Sequence, residues 1–145
     1  MAQGGGRLSM VHERIRRINT KGRWPNQAID YDVSLMVRAS GRSLFLGGLT
    51  GFDLDGKFHG KGDPAAQADQ AMKNLKILVE EGGGTLEHVC KVTTYLLHRE
   101  HREPVYNTVA RHLRGVAPCG TGLIVSGLAM ADMLVEFDVD VVIPA

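Results

Sequence analysis

The segment Leu134 to Val142 (LVEFDVDVV) alternates apolar and acidic side chains along most of its length. A period of two is typical of a β-strand with one buried face, so Glu136, Asp138 and Asp140 are expected to share the other face. At about 3.3 Å per residue, neighbouring carboxylates lie roughly 6.5 to 7 Å apart. Two interpretations fit: a solvated acidic edge that discourages aggregation, or a cleft in which at least one carboxylate handles protons.

The composition indicates a single domain without an electrostatic signature for nucleic acid. The 145 residues suffice for one core, and 17 basic and 16 acidic residues leave a net charge of +1. Nucleic acid or an anionic membrane normally requires clustered Lys and Arg, and no run approaches the roughly 18 apolar residues of a membrane span. Cys90 and Cys119, without an apolar signal segment, fit a reducing cytosol. We therefore expect a cytoplasmic protein with neither nucleic acid nor membrane as partner.

The start of the chain has little to bury. Residues 1–9, which include three consecutive glycines, are expected to form a disordered leader before a single domain over residues 10–145. A short strand is predicted over 11–19 and a loop over 22–30. Trp24 in that loop is interpreted either as a packing anchor or as a platform for substrate.

The remaining pattern predicts an α+β fold with two helices on one face of a mostly antiparallel sheet. The best-defined helix runs from Pro64 to Gly82 with Asp63 as its N-cap, and a shorter one covers 104–114. The predicted strands are 33–38, 43–46, 86–97, 121–128 and 134–142, the first two joined as a hairpin at Gly41. Because the second face of such an apolar sheet would be bare, a homo-oligomer is expected.

Several common chemistries find no support in the sequence. His98 and His101 lack the spacing and the adjacent Glu of the zinc helix motif, and no Cys pair supports a structural metal site. Cys119 follows a proline without a recognisable nucleophile signature, and Ser126 lacks a G-x-S-x-G elbow. Residues 47–63 contain no phosphate-binding glycine pattern. We therefore predict neither a metal nor a cofactor.

Taken in order, these pieces resemble the reactive-intermediate deaminase family, called Rid or YjgF and also labelled endoribonuclease L-PSP. The resemblance covers about residues 33–142. The motifs that carry it are Leu44-Phe45-Leu46-Gly47-Gly48, the helix 67–83 with Gln70, Asn74 and Leu78, Val89-x-Lys91-Val92-Thr93-x-Tyr95, Tyr106-Asn107 and Leu134-Val135-Glu136-Phe137.

The resemblance implies a chorismate-mutase-like subunit assembled as a homotrimer, with clefts between adjacent subunits. Active members hydrolyse enamines and imines to a carbonyl compound and ammonia without a cofactor. Water is the nucleophile in that reaction.

The resemblance matches family site residues to four positions. Glu136 matches the carboxylate that positions or activates water, and Asn107 matches the asparagine that opens the second helix near the cleft. Gly48 matches the glycine at a strand end, where Gly47 replaces the usual serine. Tyr31 is a candidate counterpart of the cleft tyrosine, at a different spacing.

The sequence also departs from the family where the substrate carboxylate is held. Typical deaminating members carry an arginine two residues after a proline, but the residue two after Pro118 is Gly120, with Cys119 between them. Ala129 replaces a further proline. Losing a bidentate, charge-assisted pair removes on the order of 1.5 to 3 kcal/mol of binding, so a small 2-imino acid should be handled poorly.

Two functions therefore remain open from the sequence. The first is a Rid-like hydrolase of an enamine or imine with altered substrate preference, in which Glu136 acts on water. The second is a non-catalytic oligomer that binds small molecules or acts as a chaperone. The family's ribonuclease label suggests a third function, RNA cleavage, and the near-neutral charge argues against it.

Overall fold

The computed structural model describes residues 12–145. Its elements are β1 (Glu13–Asn19), α1 (Thr20–Arg23), β2 (Asp32–Arg38), β3 (Gly41–Phe45), α2 (Pro64–Glu81), β4 (Val89–Leu96), α3 (Arg102–His112), β5 (Cys119–Ile124) and β6 (Val135–Pro144). Single 3₁₀ turns, Leu86–His88 and Arg99–His101, precede β4 and α3. The leader expected over residues 1–9 lies outside the described residues. Within residues 12–145, no helix is both long and apolar enough to cross a bilayer.

Four strands form the main sheet, in the order β3-β6-β4-β5. The strand β6 is antiparallel to both of its neighbours, whereas β5 is parallel to β4. A parallel pair needs a crossover, and α3 supplies it between β4 and β5. The predicted α+β class is confirmed, and the sheet is mixed.

The predicted hairpin between residues 33–38 and 43–46 is wrong. β2 pairs with β1 in a separate two-stranded ribbon, and β3 pairs with β6. Only two residues separate β2 from β3, and at Gly41 a Cβ would collide with the carbonyl oxygen of Ile143. The chain turns a corner there instead of folding back, because pairing with β6 lets Leu44 pack against the core.

The β1–β2 ribbon is attached to the main sheet where β4 and β5 begin. The backbone N–H of Ser34 donates to the carbonyl of Pro118 at 3.1 Å, and its hydroxyl donates to Ala117 at 2.7 Å. The guanidinium of Arg14 donates to the carbonyls of Val89 at 2.7 Å and Glu87 at 2.8 Å. The ribbon therefore lies across one end of the sheet. It is held there mainly by individual hydrogen bonds and not by a continuous strand ladder.

Helices α2 and α3 cover one face of the main sheet, as predicted. Asp63 caps α2 by accepting the N–H of Ala66 at 3.1 Å, and the helix ends before Gly82. Their apolar stripes meet the inward side chains of β4 and β6, and the largest fully buried side chains include Met72, Leu75, Val105, Val109, Leu96 and Phe137. The second helix begins two residues earlier than predicted, since Pro104 is tolerated in its first turn.

Gln67 is a fully buried polar residue that joins α2 to two loops. Its amide nitrogen donates to the carbonyls of Gly60 at 2.9 Å and Asp132 at 3.0 Å, and its oxygen accepts the N–H of Leu134 at 2.9 Å. Leu134 immediately precedes β6, so this side chain helps to place the start of the acidic strand.

Replacing Gln67 with Leu should destabilise the fold strongly, because three backbone groups lose their hydrogen-bond partner. We expect a loss of about 2 to 4 kcal/mol in the free energy of unfolding, measured by urea titration. Gln70→Leu is the matched control, since Gln70 is only partly buried and its amide donates to one side chain, Asn74. Equal losses for the two variants would contradict this role of Gln67.

Candidate functional site

The three acids of β6 lie on the sheet face opposite the helices. Val135 and Phe137 are fully buried, whereas Glu136 is half-buried and Asp138 and Asp140 are exposed. Tyr95 on β4 is paired directly with Glu136. The predicted alternation is confirmed, and the centre of this second face is more polar than the apolar face expected from the sequence.

A backbone bridge places Gly48 beside Glu136. The N–H of Leu49 donates to the carbonyl of Phe137 and the N–H of Phe137 donates back to Leu49, both at 2.9 Å. A Cβ at Gly48 would collide with the Glu136 carboxylate. A glycine is therefore needed at 48 for the carboxylate to occupy its position. Gly47 next to it is open, with nothing within 4 Å of the place its Cβ would take.

The Glu136 carboxylate faces an open cleft of about 410 Å³, the acidic cleft. Its other walls come from Gly48, Tyr95, Asp138, Val125, Gly127 and Leu128. Within residues 12–145, no side-chain or backbone donor bonds to the Glu136 carboxylate. Its oxygens are therefore available to accept hydrogen bonds from water or from a bound molecule.

A second and larger cavity, of about 530 Å³, lies between α3, β5 and the β1–β2 ribbon. We name it the ribbon cavity. Three predicted site residues line it: Tyr31, Cys119 and Gly120. Cys119 is partly exposed, and its thiol donates to the carbonyl of Cys90 at 3.3 Å. Within a single chain, the predicted site residues are therefore divided between the acidic cleft and the ribbon cavity.

Tyr31 is a neutral hydrogen-bond donor in the ribbon cavity. Burial raises the pKa of its phenol well above the ordinary value, and the nearby Tyr106 and Cys119 act in the same direction. The hydroxyl therefore keeps its proton at neutral pH, and no other described residue accepts that proton.

Asn107 supports the loop before Tyr31 rather than lining either cavity. Its amide oxygen accepts the N–H of Asp30 at 3.0 Å, and its amide nitrogen donates to Ala28 at 3.2 Å. Glu103, one turn earlier on α3, accepts the N–H of Ala28 at 3.1 Å. Direct contact between Asn107 and substrate stays a prediction.

Sequence reasoning missed the residues that shape the ribbon cavity at β5. Tyr106 lies over Gly122, where its hydroxyl occupies the space of a Cβ, and Arg102 lies over the Tyr106 ring. A signal was present, because an isolated glycine inside a strand often marks close approach of another group, and Arg102 and Tyr106 are four apart on one helix.

This domain is of the α+β class. Its four-stranded mixed sheet carries two helices on one face and, on the opposite face, a glutamate that packs against a glycine. The sequence profile of the family described as endoribonuclease L-PSP matches residues 25–143. The chain belongs to this family, to which the Rid and YjgF proteins also belong, so the predicted resemblance is confirmed.

Solved structures share the fold at low sequence identity. YyfB of Yersinia pestis, a Rid-family protein of unknown function, is 24% identical with a TM-score of 0.72, covering 88% of this chain and 99% of its own. Rv2704 of Mycobacterium tuberculosis, from the YjgF/YER057c/UK114 family, is 21% identical with a TM-score of 0.62, covering 90% and 98%. RidA of an Antarctic Psychrobacter is 24% identical with a TM-score of 0.64, covering 76% and 87%.

The variant Gly48→Ala should displace the Glu136 side chain, because the new methyl group takes the space of the carboxylate. An off-rotamer alternative costs about 0.5 to 1.5 kcal/mol, so we expect a different Glu136 rotamer in a crystal structure of the variant. Gly47→Ala is the matched control and should leave Glu136 in place. An unmoved carboxylate in Gly48→Ala would show that the close approach is not a constraint.

Proposed function

We propose that this protein is a hydrolytic deaminase of an enamine or imine, active as a homotrimer with its catalytic clefts between subunits. One observation carries the proposal: the Glu136 carboxylate lies against Gly48 at the mouth of an open cleft, without a hydrogen-bond donor from residues 12–145. Family membership supports it, because the residues that match the family's water-activating carboxylate and its glycine are the two brought together here.

The reaction needs one carboxylate and one water. Glu136 accepts a proton from water as the oxygen attacks the imine carbon and passes that proton to the nitrogen, which gives a neutral tetrahedral carbinolamine. Glu136 then takes the proton of the carbinolamine hydroxyl and delivers it to the nitrogen as the C–N bond breaks, which releases ammonia and leaves a carbonyl group. An enamine first becomes the imine by gaining a proton on carbon and losing one from nitrogen. General acid and base catalysis of this kind contributes typically about 10²- to 10⁴-fold.

Association through the acidic face would complete the site. Phe45 is 97% exposed and is paired with Asp140, so it lies on the acidic face, and Leu123, which pairs with Tyr95 on the same face, is 42% exposed. Fully burying an exposed Phe or Leu side chain contributes about 1.5 to 3 kcal/mol, and Leu123, at 42% exposure, gains correspondingly less. In the proposed trimer, the acidic cleft of one subunit meets the ribbon cavity of its neighbour.

A second candidate is a non-catalytic trimer that binds small molecules. Gly120 favours it, because it leaves no side chain where the family resemblance expects the arginine that grips a substrate carboxylate. The two candidates differ in one measurable property, which is the release of ammonia.

Glu136→Gln should abolish catalysis while preserving the assembly, because an amide cannot accept the proton of water. The substrates are a panel of imines generated by an amino-acid oxidase. We expect the rate of ammonia release, after subtraction of the uncatalysed background rate, to fall at least about 100-fold. Asp140→Asn is the matched control, since Asp140 lies on the same face outside the acidic cleft, paired with Lys91. Equal rates for the parent and Glu136→Gln would remove Glu136 from the mechanism. A parent protein that releases no ammonia from any imine would favour the binding function.

Phe45→Ser should weaken the oligomer, because it removes an aromatic ring that the proposed association buries. By size-exclusion chromatography with light scattering, we expect the parent at three times its chain mass of 15.8 kDa and the variant at lower mass on dilution. Ile77→Ser is the control, since Ile77 is 45% exposed on α2, away from the acidic face. A monomeric parent would overturn the intersubunit site.

A further inference from the structure

Arg102 brings a guanidinium to the wall of the ribbon cavity. It is the first residue of α3, and its guanidinium carbon lies 5.1 Å from the centre of the Tyr106 ring. Within residues 12–145, no carboxylate forms an ion pair with it. A stacked guanidinium keeps its five donors in one plane, so this cation is oriented and unpaired.

Gly122 fixes where that cation lies. Because it has no side chain, the Tyr106 hydroxyl packs directly on β5, and the ring then supports Arg102. Gly120 and Gly122 pair with Val92 and Thr94 on β4, and all four line the ribbon cavity. The two glycines share a face at about 6.5 to 7 Å. The guanidinium thus borders the same cavity as position 120, where the family resemblance expects an arginine.

The rest of the cavity is suited to an apolar group. Ile18, Ile29, Val33, Leu35 and Val109 line it together with the aromatic rings of Trp24, Tyr31 and Tyr106. About 530 Å³ is within the range of sites that take ligands larger than a three-carbon acid. The neutral hydroxyl of Tyr31 adds a directed donor beside this apolar lining.

We propose that Arg102 is a specificity-determining residue that binds the carboxylate of an anionic substrate, with the ribbon cavity holding that substrate's aryl or branched-alkyl body. This inference rests on the proposed function and names its substrate class: imines or enamines of bulky apolar 2-keto acids. The cation lies at the start of α3 instead of on the strand, and the side-chain volume absent at Gly120 becomes room for substrate, whereas the space at Gly122 is filled by the Tyr106 hydroxyl.

Binding of unreactive probes tests the proposal without turnover. The probes are 3-phenylpropanoate, its neutral amide and acetate, titrated into the full-length protein by calorimetry and followed by fluorescence of Trp24, the single tryptophan. We expect 3-phenylpropanoate to bind at least about 10-fold more tightly than either other probe, and its affinity to fall with added salt. Equal affinity for the acid and its amide, or no binding of the acid, would overturn the assignment.

Removing the charge of Arg102 should weaken binding of the carboxylate probe alone. Arg102→Gln should weaken 3-phenylpropanoate about 10-fold or more and leave the amide unchanged. Arg111→Gln is the control, since Arg111 is an exposed residue later on α3 and lines neither the ribbon cavity nor the neighbouring pocket that Arg99 and Arg102 share. Equal effects of the two substitutions would point to general surface charge and contradict a specific site.

An arginine placed at position 120, in a variant that lacks Arg102, gives a second test. Adding Gly120→Arg to Arg102→Gln should restore carboxylate binding, because a Cβ at 120 meets only the Val92 carbonyl, at 3.3 Å. Gly120→Gln in the same background fills similar space without charge and should not restore it. Restoration by both would show that bulk, not charge, governs the cavity.

The outcomes separate this inference from the proposed hydrolysis. A protein that binds 3-phenylpropanoate through Arg102 but releases no ammonia from any imine would overturn the deaminase and leave this inference standing. A protein that hydrolyses imines equally well with and without Arg102 would overturn this inference alone.

Discussion

The fold and its acidic cleft depend on the alternation of side chains along β6. Because β6 is a central strand with helices packed on one face, its alternating apolar residues face the helices and its acids face outwards. The reciprocal hydrogen bonds between Leu49 and Phe137 then bring Gly48 against Glu136. One strand therefore sets both the hydrophobic core and the position of the carboxylate on which catalysis is proposed to depend.

The acidic cleft and the ribbon cavity differ in chemistry. The acidic cleft offers carboxylates and few apolar groups, whereas the ribbon cavity offers aromatic and aliphatic walls, the phenols of Tyr31 and Tyr106, and one guanidinium. Proton transfer suits the first and recognition of an apolar anion suits the second. A site assembled from both would separate the group that reacts with water from the groups that select the substrate.

The sequence predicted the helices, the acidic strand and the family, because those depend on local periodicity, capping residues and motif order. It did not predict the partner of β2, since the preference of β3 for β6 depends on contacts nearly one hundred residues away. The strand predicted to reach residue 128 ends at Ile124, because its partner β4 ends at Leu96. Arg102 was not predicted, because its spacing to Tyr106 is informative only if α3 begins at Arg102 and Tyr106 packs against Gly122, and the helix was predicted to begin at Pro104.

The way the β1–β2 ribbon is attached has a consequence for how molecules enter the larger cavity. Its tethers to the main sheet are largely side-chain bonds, notably those of Arg14 and Ser34, and not a continuous ladder. Local opening costs less where few contacts must break, so the ribbon is the wall of the cavity expected to open at the lowest free-energy cost while the four-stranded sheet stays folded. The two hydrogen bonds of Arg14 are among those that such an opening must break.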